Sequence, residues 1–411
     1  MQYDFTTIMD RHGKDAIAVD ALGEPGGFAP GAPKPGFDAI PMWVADMNFP
    51  TVPTVPAAII RRAQHPAFGY FEATDAYYNA IIDWQVRRNG ADPALLTRDC
   101  IGYENGVLGG VVSAVTSFAA PGDGVLLHSP TYIGFTKSLQ NNGYRIVHSP
   151  LVQDEQGVWR MDYADMDAKL KQYHIHVAIF CSPHNPCGRV WTLEEIARAM
   201  EVYRANDCLV ISDEIWSDIL LNGHKHTPTQ SVSEDARQRT VALYAPSKTF
   251  NLAGLVGSYH IIYNPYLRDR VVAKSTKPHY NEMNVLSMHA LIGAYSPEGH
   301  DWVDQLCGVL SGNVSFACDY IDAHFQGVSV AKPEGTYMLF LDCTDWCAAH
   351  SRTIAQVLQA GWDVGVAWQD GRMFHGPCAI RMNLALPLAR VEEAFRRLDQ
   401  YVFNGPFLSE R

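Results

Sequence analysis

Two side chains that follow apolar runs, Lys248 and Asp213, have the chemistry of a catalytic pair. Lys248 follows TVALYAPS (240–247), so its amine is expected at the end of a buried strand, where loss of water lowers an amine pKa and favours Schiff-base chemistry. Alone, such a lysine is more often a solvated surface charge. Asp213 favours the first interpretation, because a carboxylate inside the apolar run CLVISDE (208–214) is costly unless it has a cationic partner, such as a protonated ring nitrogen.

Four predicted strands end in polar motifs that contain lysine, aspartate, asparagine or tyrosine. These motifs are SPTYIGF (129–135), SPHNPCGRV (182–190), SDEIWSD (212–218) and APSKTFNLAG (245–254). Any one of them could be an ordinary polar turn. Ligands of open α/β sheets bind at the carboxyl ends of the strands, so four such ends together predict a binding site.

The motif ENGVLGGV has the features of an anion-binding turn. Gly106 allows close approach of a ligand, and the N–H groups of Val107 and Leu108 open a predicted helix over 107–118, whose N-terminus suits a phosphate. Ser247 could add a hydroxyl group, although a packing or turn role is equally open.

Short β-rich runs alternate with helical patterns over much of the chain, which predicts an α/β fold with a mostly parallel sheet flanked by helices. We expect a large domain over 50–290 and a smaller α+β domain over 291–411. An N-terminal segment, 1–49, is expected to pack with the small domain. The stretch 24–38 is dense in glycine and proline and is expected to form an arm or loop.

Composition narrows the range of partners. The net charge of −12 comes from 32 basic and 44 acidic residues mixed along the chain, which argues against a nucleic acid or a membrane as partner. The chain has no apolar run long enough to span a membrane and does not begin like a secretory signal, so we expect a cytoplasmic protein. Nine scattered cysteines are typical of reduced thiols. The pairs His174/His176 and His224/His226 have no supporting cluster, and no metal is expected.

Three of the motifs, SPHNPCGRV, SDEIW and APSKTFNLAG, resemble in this order the signatures of the fold-type I pyridoxal-phosphate (PLP) enzymes, which have the aspartate-aminotransferase fold. The spacing from Asn185 to Asp213 and from there to Lys248 agrees with that family. The resemblance extends over essentially the whole chain, as far as AIRMNLALP (379–387). It implies PLP as the cofactor, bound by the large domain.

The resemblance also implies roles for the residues around the cofactor. Lys248 carries the cofactor as a Schiff base and then moves the substrate's Cα proton, while Asp213 pairs with the ring nitrogen. Asn185 hydrogen-bonds the ring's 3-oxygen, and Tyr132 stacks on the ring face. Trp216 stands beside the cofactor where aminotransferases usually have a tyrosine that donates to the ring oxygen. The turn at Gly106, Val107 and Leu108 takes the phosphate, with Ser247 as a further partner.

For the substrate, a small amino acid, the resemblance implies that Arg381 holds the α-carboxylate, because its planar, permanently charged fork suits that group. A salt bridge inside the small domain is the alternative role for this arginine. Val44, Ala45 and Asn185 are expected to line the same site. Tyr70 matches a tyrosine that reaches the phosphate of the neighbouring subunit's cofactor, so a homodimer with shared active sites is implied.

Within the family, PMWVADMNFP (41–50) and the residues around Trp216 and Lys248 resemble the bacterial cystathionine β-lyase, or C–S lyase, group. Ala245 and Val256 also depart from the serine and arginine that aminotransferases often have there, which leaves the phosphate with fewer partners. The implied reaction converts cystathionine, cysteine or S-substituted cysteines to thiol, pyruvate and ammonia.

Two alternatives remain open at this point. The first is a PLP-dependent aminotransferase of class I/II, which shares the first half of the reaction and needs a 2-oxo acid. The second is a PLP-binding regulatory protein, although the retention of Lys248, Asp213 and Arg381 argues against a pure binding role.

Overall fold

The computed structural model describes residues 2–24, 28–277 and 279–408. The strands, in chain order, are β1 (Ile40–Pro41), β2 (Ile101–Glu104), β3 (Gly124–Ser129), β4 (Arg145–Pro150), β5 (Val152–Gln153), β6 (Trp159–Arg160), β7 (Val177–Cys181), β8 (Leu209–Asp213), β9 (Thr240–Tyr244), β10 (Ser258–Ile261), β11 (Ser329–Val330), β12 (Met338–Asp342), β13 (Val366–Ala367), β14 (Gln369–Asp370) and β15 (Ala379–Asn383).

The α-helices, in chain order, are α1 (Ile17–Asp20), α2 (Thr54–Ala63), α3 (Asp75–Asn89), α4 (Val107–Phe118), α5 (Ile133–Asn141), α6 (Tyr163–Tyr173), α7 (Leu193–Ala205), α8 (Glu234–Arg239), α9 (Pro265–Ser275), α10 (Val285–Ala294), α11 (Pro297–His324), α12 (Thr344–Ala349), α13 (Ile354–Asp363) and α14 (Leu388–Leu398). A π-helical turn, Asp399–Phe403, follows α14. Among the described residues, no helix is both long enough and apolar enough to cross a bilayer.

The chain divides into two compact units. The large unit comprises residues 51–184 and 189–304, and the small unit comprises 2–50, 185–188 and the chain from Gln305 onwards. The chain therefore passes from one unit to the other within α11. The expected domain division, at residues 49/50 and 290/291, stays a prediction.

A seven-stranded sheet forms the centre of the large unit, with the order β2-β10-β9-β8-β7-β3-β4. The strands β4, β3, β7, β8 and β9 run parallel to one another, whereas β10 is antiparallel to both β9 and β2. Every residue of β7 and of β9 is buried, as expected for parallel strands that are covered on both faces. The mostly parallel α/β sheet predicted from the sequence is confirmed.

The core of the large unit lies between this sheet and the helices α4, α5 and α9. Val111 of α4, Phe135 of α5 and Val271 of α9 pack in one buried cluster with Ile179 of β7 and Leu243 of β9. Full burial of such a side chain stabilises the fold by about 1.5–3 kcal/mol. The core therefore fixes α4, and with it the turn before α4, against the centre of the sheet.

The small unit contains an antiparallel sheet with the order β11-β12-β15-β14. The N-terminal segment joins this unit through β1, which pairs with β13 in parallel, Ile40 opposite Val366. In β15, Arg381 stands opposite Gln369 of β14. Of the stretch 24–38, residues 25–27 lie outside the described part of the chain, and the rest forms no helix or strand.

Candidate functional site

The four polar motifs follow four strands that are direct neighbours in the sheet, β9, β8, β7 and β3. These strands are parallel, so their carboxyl ends lie at one edge. Asp213 is the last residue of β8 and stands in register with Leu243 of β9 and Cys181 of β7. Lys248 does not close β9 directly, because the strand ends at Tyr244 and the lysine lies in the turn that follows.

Asp213 is a buried carboxyl with a strongly changed acidity. The residue is 4% exposed, and its Oδ1 accepts a hydrogen bond from the N–H of Ile215 at 3.0 Å. Burial raises the pKa of Asp213 to about 7, against the opposing effects of the Ile215 N–H and the Lys248 charge. An additional cation beside this carboxyl would stabilise its ionised form.

The turn that carries Lys248 is held by a second buried carboxyl, Asp218. Thr249 donates to Asp218 Oδ2 at 2.9 Å, and Trp84 Nε1 donates to Asp218 Oδ1 at 3.1 Å. Lys248 Nζ lies 5.8 Å from the centre of the Trp216 ring, which is itself buried. The sequence interpretation missed Asp218, although an acidic residue five positions after Asp213 in the motif SDEIWSD was a visible signal.

Glu214 is the third buried carboxyl of this region, and the sequence interpretation missed it as well as Asp218. It accepts hydrogen bonds from Tyr244 at 2.7 Å, from Ser212 at 2.9 Å and from the N–H of Thr229 at 3.1 Å. His226 Nε2 lies 2.6 Å from Glu214 Oε2, the oxygen that also accepts from Tyr244. A buried carboxylate with this many partners fixes the backbone beside Asp213.

The predicted anion-binding turn opens α4, which spans Val107–Phe118 as expected. Gly106 has φ +75°, a backbone conformation that residues other than glycine rarely adopt. The first N–H groups of a helix, here including those of Val107 and Leu108, have no acceptor within the helix and suit an anion.

Val256 lies at the same turn. Its Cγ1 is 3.9 Å from the position that a Cβ on Gly106 would take, and its backbone O accepts from the Tyr103 hydroxyl at 3.2 Å. With φ +37°, Val256 is a strained β-branched residue. An apolar side chain therefore stands next to the candidate phosphate site.

Three further predicted site residues of the large unit, Tyr132, Ser247 and Tyr70, lie in turns or irregular segments. Tyr132 directly precedes α5, and its ring meets that of Phe135 edge to face at 5.4 Å. Ser247 is half-buried and its backbone O accepts from the N–H of Leu252 at 3.0 Å, which makes it part of the Lys248 turn. Tyr70 is fully exposed in an irregular segment between α2 and α3.

Arg381 is buried in the small unit among neutral partners. Its Nη2 donates to the O of Trp43 at 2.9 Å and to Gln369 Oε1 at 2.8 Å, and its Nη1 donates to Asn185 Oδ1 at 3.3 Å. The guanidinium also lies 4.3 Å from the centre of the Phe374 ring. Gln369 and Phe374, which the sequence interpretation missed, therefore help to fix the orientation of the guanidinium.

The segment that contains Val44 and Ala45 is fastened within the same unit. Asn383 donates to the O of Val44 at 2.7 Å, and the Tyr337 hydroxyl donates to the O of Ala45 at 3.1 Å. Within the small unit the structure also brings together Arg381 and Asn185, whose side chains form a hydrogen bond.

Among the described residues, no group of three or more His, Cys, Asp or Glu side chains is arranged to hold a metal ion.

Comparison with known proteins identifies the class. The family model "Aminotransferase class I and II" matches residues 43–398, so the chain belongs to that family. The curated protein "Cystathionine beta-lyase PatB" of Bacillus subtilis is 31% identical over 400 residues, which is 96% of this chain and 98% of that protein.

Solved structures agree with this grouping. Cystalysin of Treponema denticola, which contains a pyridoxal 5'-phosphate cofactor, superposes with a TM-score of 0.88 at 28% identity and covers 97% of this chain and 98% of its own. A PLP-bound C–S lyase of Staphylococcus hominis has a TM-score of 0.86 at 27% identity, with coverage of 97% and 98%. The family and the fold inferred from the sequence are confirmed.

Proposed function

We propose that this chain is a PLP-dependent C–S β-lyase that converts cystathionine, cysteine or S-substituted cysteines to a thiol, pyruvate and ammonia. The observation that carries the proposal is the full-length similarity to a protein named cystathionine beta-lyase, together with the position of Asp213 at the end of β8 and of Lys248 in the turn after β9. The family description alone would fit an aminotransferase equally well.

The residues of the large unit fit PLP in charge and in shape. Asp213, whose pKa is raised to about 7 by burial, would gain a cationic partner in the ring nitrogen. Lys248 is half-buried, as suits an amine that holds a cofactor covalently. The turn at Gly106 and the first N–H groups of α4 would take the phosphate, and Tyr132 would contact the ring face.

When bound, PLP supplies a conjugated ring that can take up an electron pair from the substrate's Cα. Once the substrate's amine has displaced Lys248 from the cofactor, the freed Nζ would accept the proton when the Cα–H bond breaks. The electron pair left on Cα then allows the Cβ–S bond to break, and the sulfur leaves as a thiolate. With the ring nitrogen as its cationic partner, Asp213 would stay ionised and act electrostatically.

Arg381 would hold the substrate's α-carboxylate. Its orientation is already fixed by Gln369, Trp43 and Phe374, so a substrate would meet a preformed cationic fork. Fixing the carboxylate also fixes which Cα bond is positioned to break, so this residue contributes to orientation as well as binding. Asn185, Val44 and Ala45 are proposed to line the same site.

The products test the proposed reaction. Incubation with cystathionine should release pyruvate, ammonia and homocysteine in equal amounts without any added 2-oxo acid. An aminotransferase would release no thiol and would need the oxo acid, and a PLP-binding regulatory protein would do neither. Borohydride reduction followed by peptide mapping should label Lys248, and a label on another lysine would contradict the site assignment.

We also propose a homodimer with shared active sites in the cytoplasm. Tyr70 is fully exposed and Phe68, in the same irregular segment, is 55% exposed, as suits residues that a second copy of the chain covers. All nine cysteines lie in the described part of the chain and none of them forms a disulfide, which suits a reducing compartment. The net charge of −12 gives no support to a nucleic acid or membrane partner.

A further inference from the structure

A buried glutamate stands directly before the candidate phosphate turn. Glu104 is the last residue of β2 and is fully buried. Its backbone O accepts hydrogen bonds from the N–H of Gly106 and from the Ser258 hydroxyl, both at 2.9 Å. The backbone of Glu104 is therefore part of the turn that leads into α4.

The side chain of Glu104 joins three separate segments. Its Oε1 lies 2.7 Å from Nδ1 of His260 on β10, and its Oε2 accepts from Ser113 of α4 at 3.1 Å. The same Oε2 accepts from Asn281 Nδ2, also at 3.1 Å. A carboxylate held by donors from β10, α4 and the segment before α10 fixes these three parts of the chain around one point.

Asn281 connects this carboxylate to the turn itself. Its Oδ1 accepts from the N–H of Asn105 at 2.6 Å, and its Nδ2 also donates to the O of Tyr103 at 2.7 Å. Asn105 is the residue between Glu104 and Gly106, so the amide of Asn281 holds the turn from outside while Glu104 holds Asn281.

The ring of His260 is held in place by close packing. It lies against Gly102 on the neighbouring strand β2, where a Cβ would overlap the ring. Any other residue at position 102 would displace the imidazole and with it the donor to Glu104. His260, Ser113 and Asn281 all contact the same carboxylate and form with it one group, the Glu104 cluster.

We propose that Glu104 is a positioning residue that holds the Asn105–Gly106 turn and the start of α4 in the geometry that binds the cofactor's phosphate. This inference rests on the proposed function, because it takes the phosphate to bind at the N-terminus of α4. The Glu104 cluster would act on the phosphate site through Asn281 and through the backbone of Glu104.

A positioning role and a purely structural role predict different effects on binding. Loss of a charged acceptor from the cluster loosens the turn, so the N–H groups of Val107 and Leu108 no longer point to a common anion. Pyridoxal has the same ring and aldehyde as PLP but no phosphate. Its binding should therefore depend on Lys248 and Asp213 and not on Glu104.

The test compares the binding of PLP and of pyridoxal to the apoprotein. Glu104→Gln removes the charge and keeps the volume of the side chain. A second variant, Asn281→Ala, removes the link to the turn and keeps the test available if Glu104→Gln does not fold. Gln230→Ala is the matched control, since Gln230 is also buried and bridges the first residue of β9 and the last residue of β10, at the other end of these strands.

We expect Glu104→Gln and Asn281→Ala to weaken PLP binding by about tenfold, a loss in the range of one charge-assisted hydrogen bond, and to leave pyridoxal binding within about twofold. Gln230→Ala should leave the ratio of the two affinities unchanged even if it lowers the melting temperature. If the ratio of the PLP affinity to the pyridoxal affinity stayed unchanged in the Glu104 and Asn281 variants, including by an equal loss for both ligands, the inference would be overturned. Failure of the wild-type chain to bind PLP would instead overturn the proposed function.

Discussion

Burial of the Asp213 carboxyl outweighs the opposing charge of Lys248, so that the pKa of Asp213 is raised to about 7. Asp213 ends β8, and Lys248 lies in the turn after the adjacent parallel strand β9. Without a further cation, Asp213 is therefore half-protonated near neutral pH. A cofactor with a cationic ring nitrogen would complete this charge arrangement, which makes Asp213 a direct probe of cofactor binding.

The apoprotein should lose stability as the pH rises from about 4 to about 7 because of Asp213. A carboxyl whose pKa is raised on folding binds its proton more tightly in the folded state, so ionisation costs stability. The Asp213→Asn variant removes this titration. The free energy of unfolding of the variant minus that of the wild type should therefore increase by about 2–3 kcal/mol as the pH rises from about 5 to about 8.

Urea denaturation of both apoproteins at several pH values measures this difference. Asp235→Asn is the control, because Arg239 lowers the pKa of Asp235 and its carboxyl stays ionised over the whole range. A constant difference between wild type and Asp213→Asn would show that burial does not raise the pKa of Asp213 in solution.

Replacement of Arg381 by lysine should raise KM strongly for amino-acid substrates. Lysine cannot supply the two-pronged contact, and loss of a charge-assisted hydrogen bond is worth about 1.5–3 kcal/mol, or roughly 10–150-fold in kcat/KM. The variant should also lose its preference for S-substituted cysteines over the corresponding amines without a carboxylate.

Steady-state kinetics on both kinds of substrate separate this role from a structural one. Arg390→Lys is a suitable control, since Arg390 also lies in the small unit but pairs with Asp38. If Arg381→Lys affected both substrates equally, Arg381 would be a structural residue of the small unit and not the carboxylate site.

Much of this site could be predicted from the sequence because its parts follow local patterns. Asp213 and Lys248 come after apolar runs, and the sheet edge that carries them follows from the alternation of strands and helices. The antiparallel direction of β10 and the Glu104 cluster could not be predicted, because Asn281 and Glu104 are 177 residues apart and meet only after folding. Gln369 shows the same limit, since its contact with Arg381 depends on the register of β14 against β15.

A mixture of two inactive or weakened variants should regain activity if the active site is shared. After Tyr70→Phe and Lys248→Ala chains are mixed and allowed to exchange, each hybrid dimer has one site with a native Lys248 and the partner's native tyrosine. Random exchange predicts native composition at about a quarter of all sites. Activity that stays at the level of the unmixed variants, with exchange confirmed by native mass spectrometry, would mean that Tyr70 does not serve the neighbouring subunit.

Replacement of Val256 by arginine should tighten PLP binding. The side chain of Val256 lies next to Gly106, and arginine tolerates the φ of +37° better than a β-branched residue does. A partly exposed charge near the phosphate is worth about 0.5–1 kcal/mol, or roughly a 2–5-fold lower Kd.

Measurement of Kd at low and at high salt identifies the cause of this gain. The gain in PLP affinity of Val256→Arg over the wild type should shrink as salt screens the charge. Val256→Met relieves the same backbone strain without a charge, so its gain over the wild type should not depend on salt. A gain of the same size in both variants would mean that strain, and not charge, controls the phosphate site.

The partition between elimination and amino transfer tests the proposed reaction most directly. The holoenzyme is given an S-substituted cysteine together with 2-oxoglutarate, and thiol, pyruvate and glutamate are measured in the same sample. A C–S lyase releases one thiol and one pyruvate for nearly every substrate molecule consumed and forms little glutamate. Formation of one glutamate per substrate consumed, with no thiol, would contradict the account and make this chain an aminotransferase.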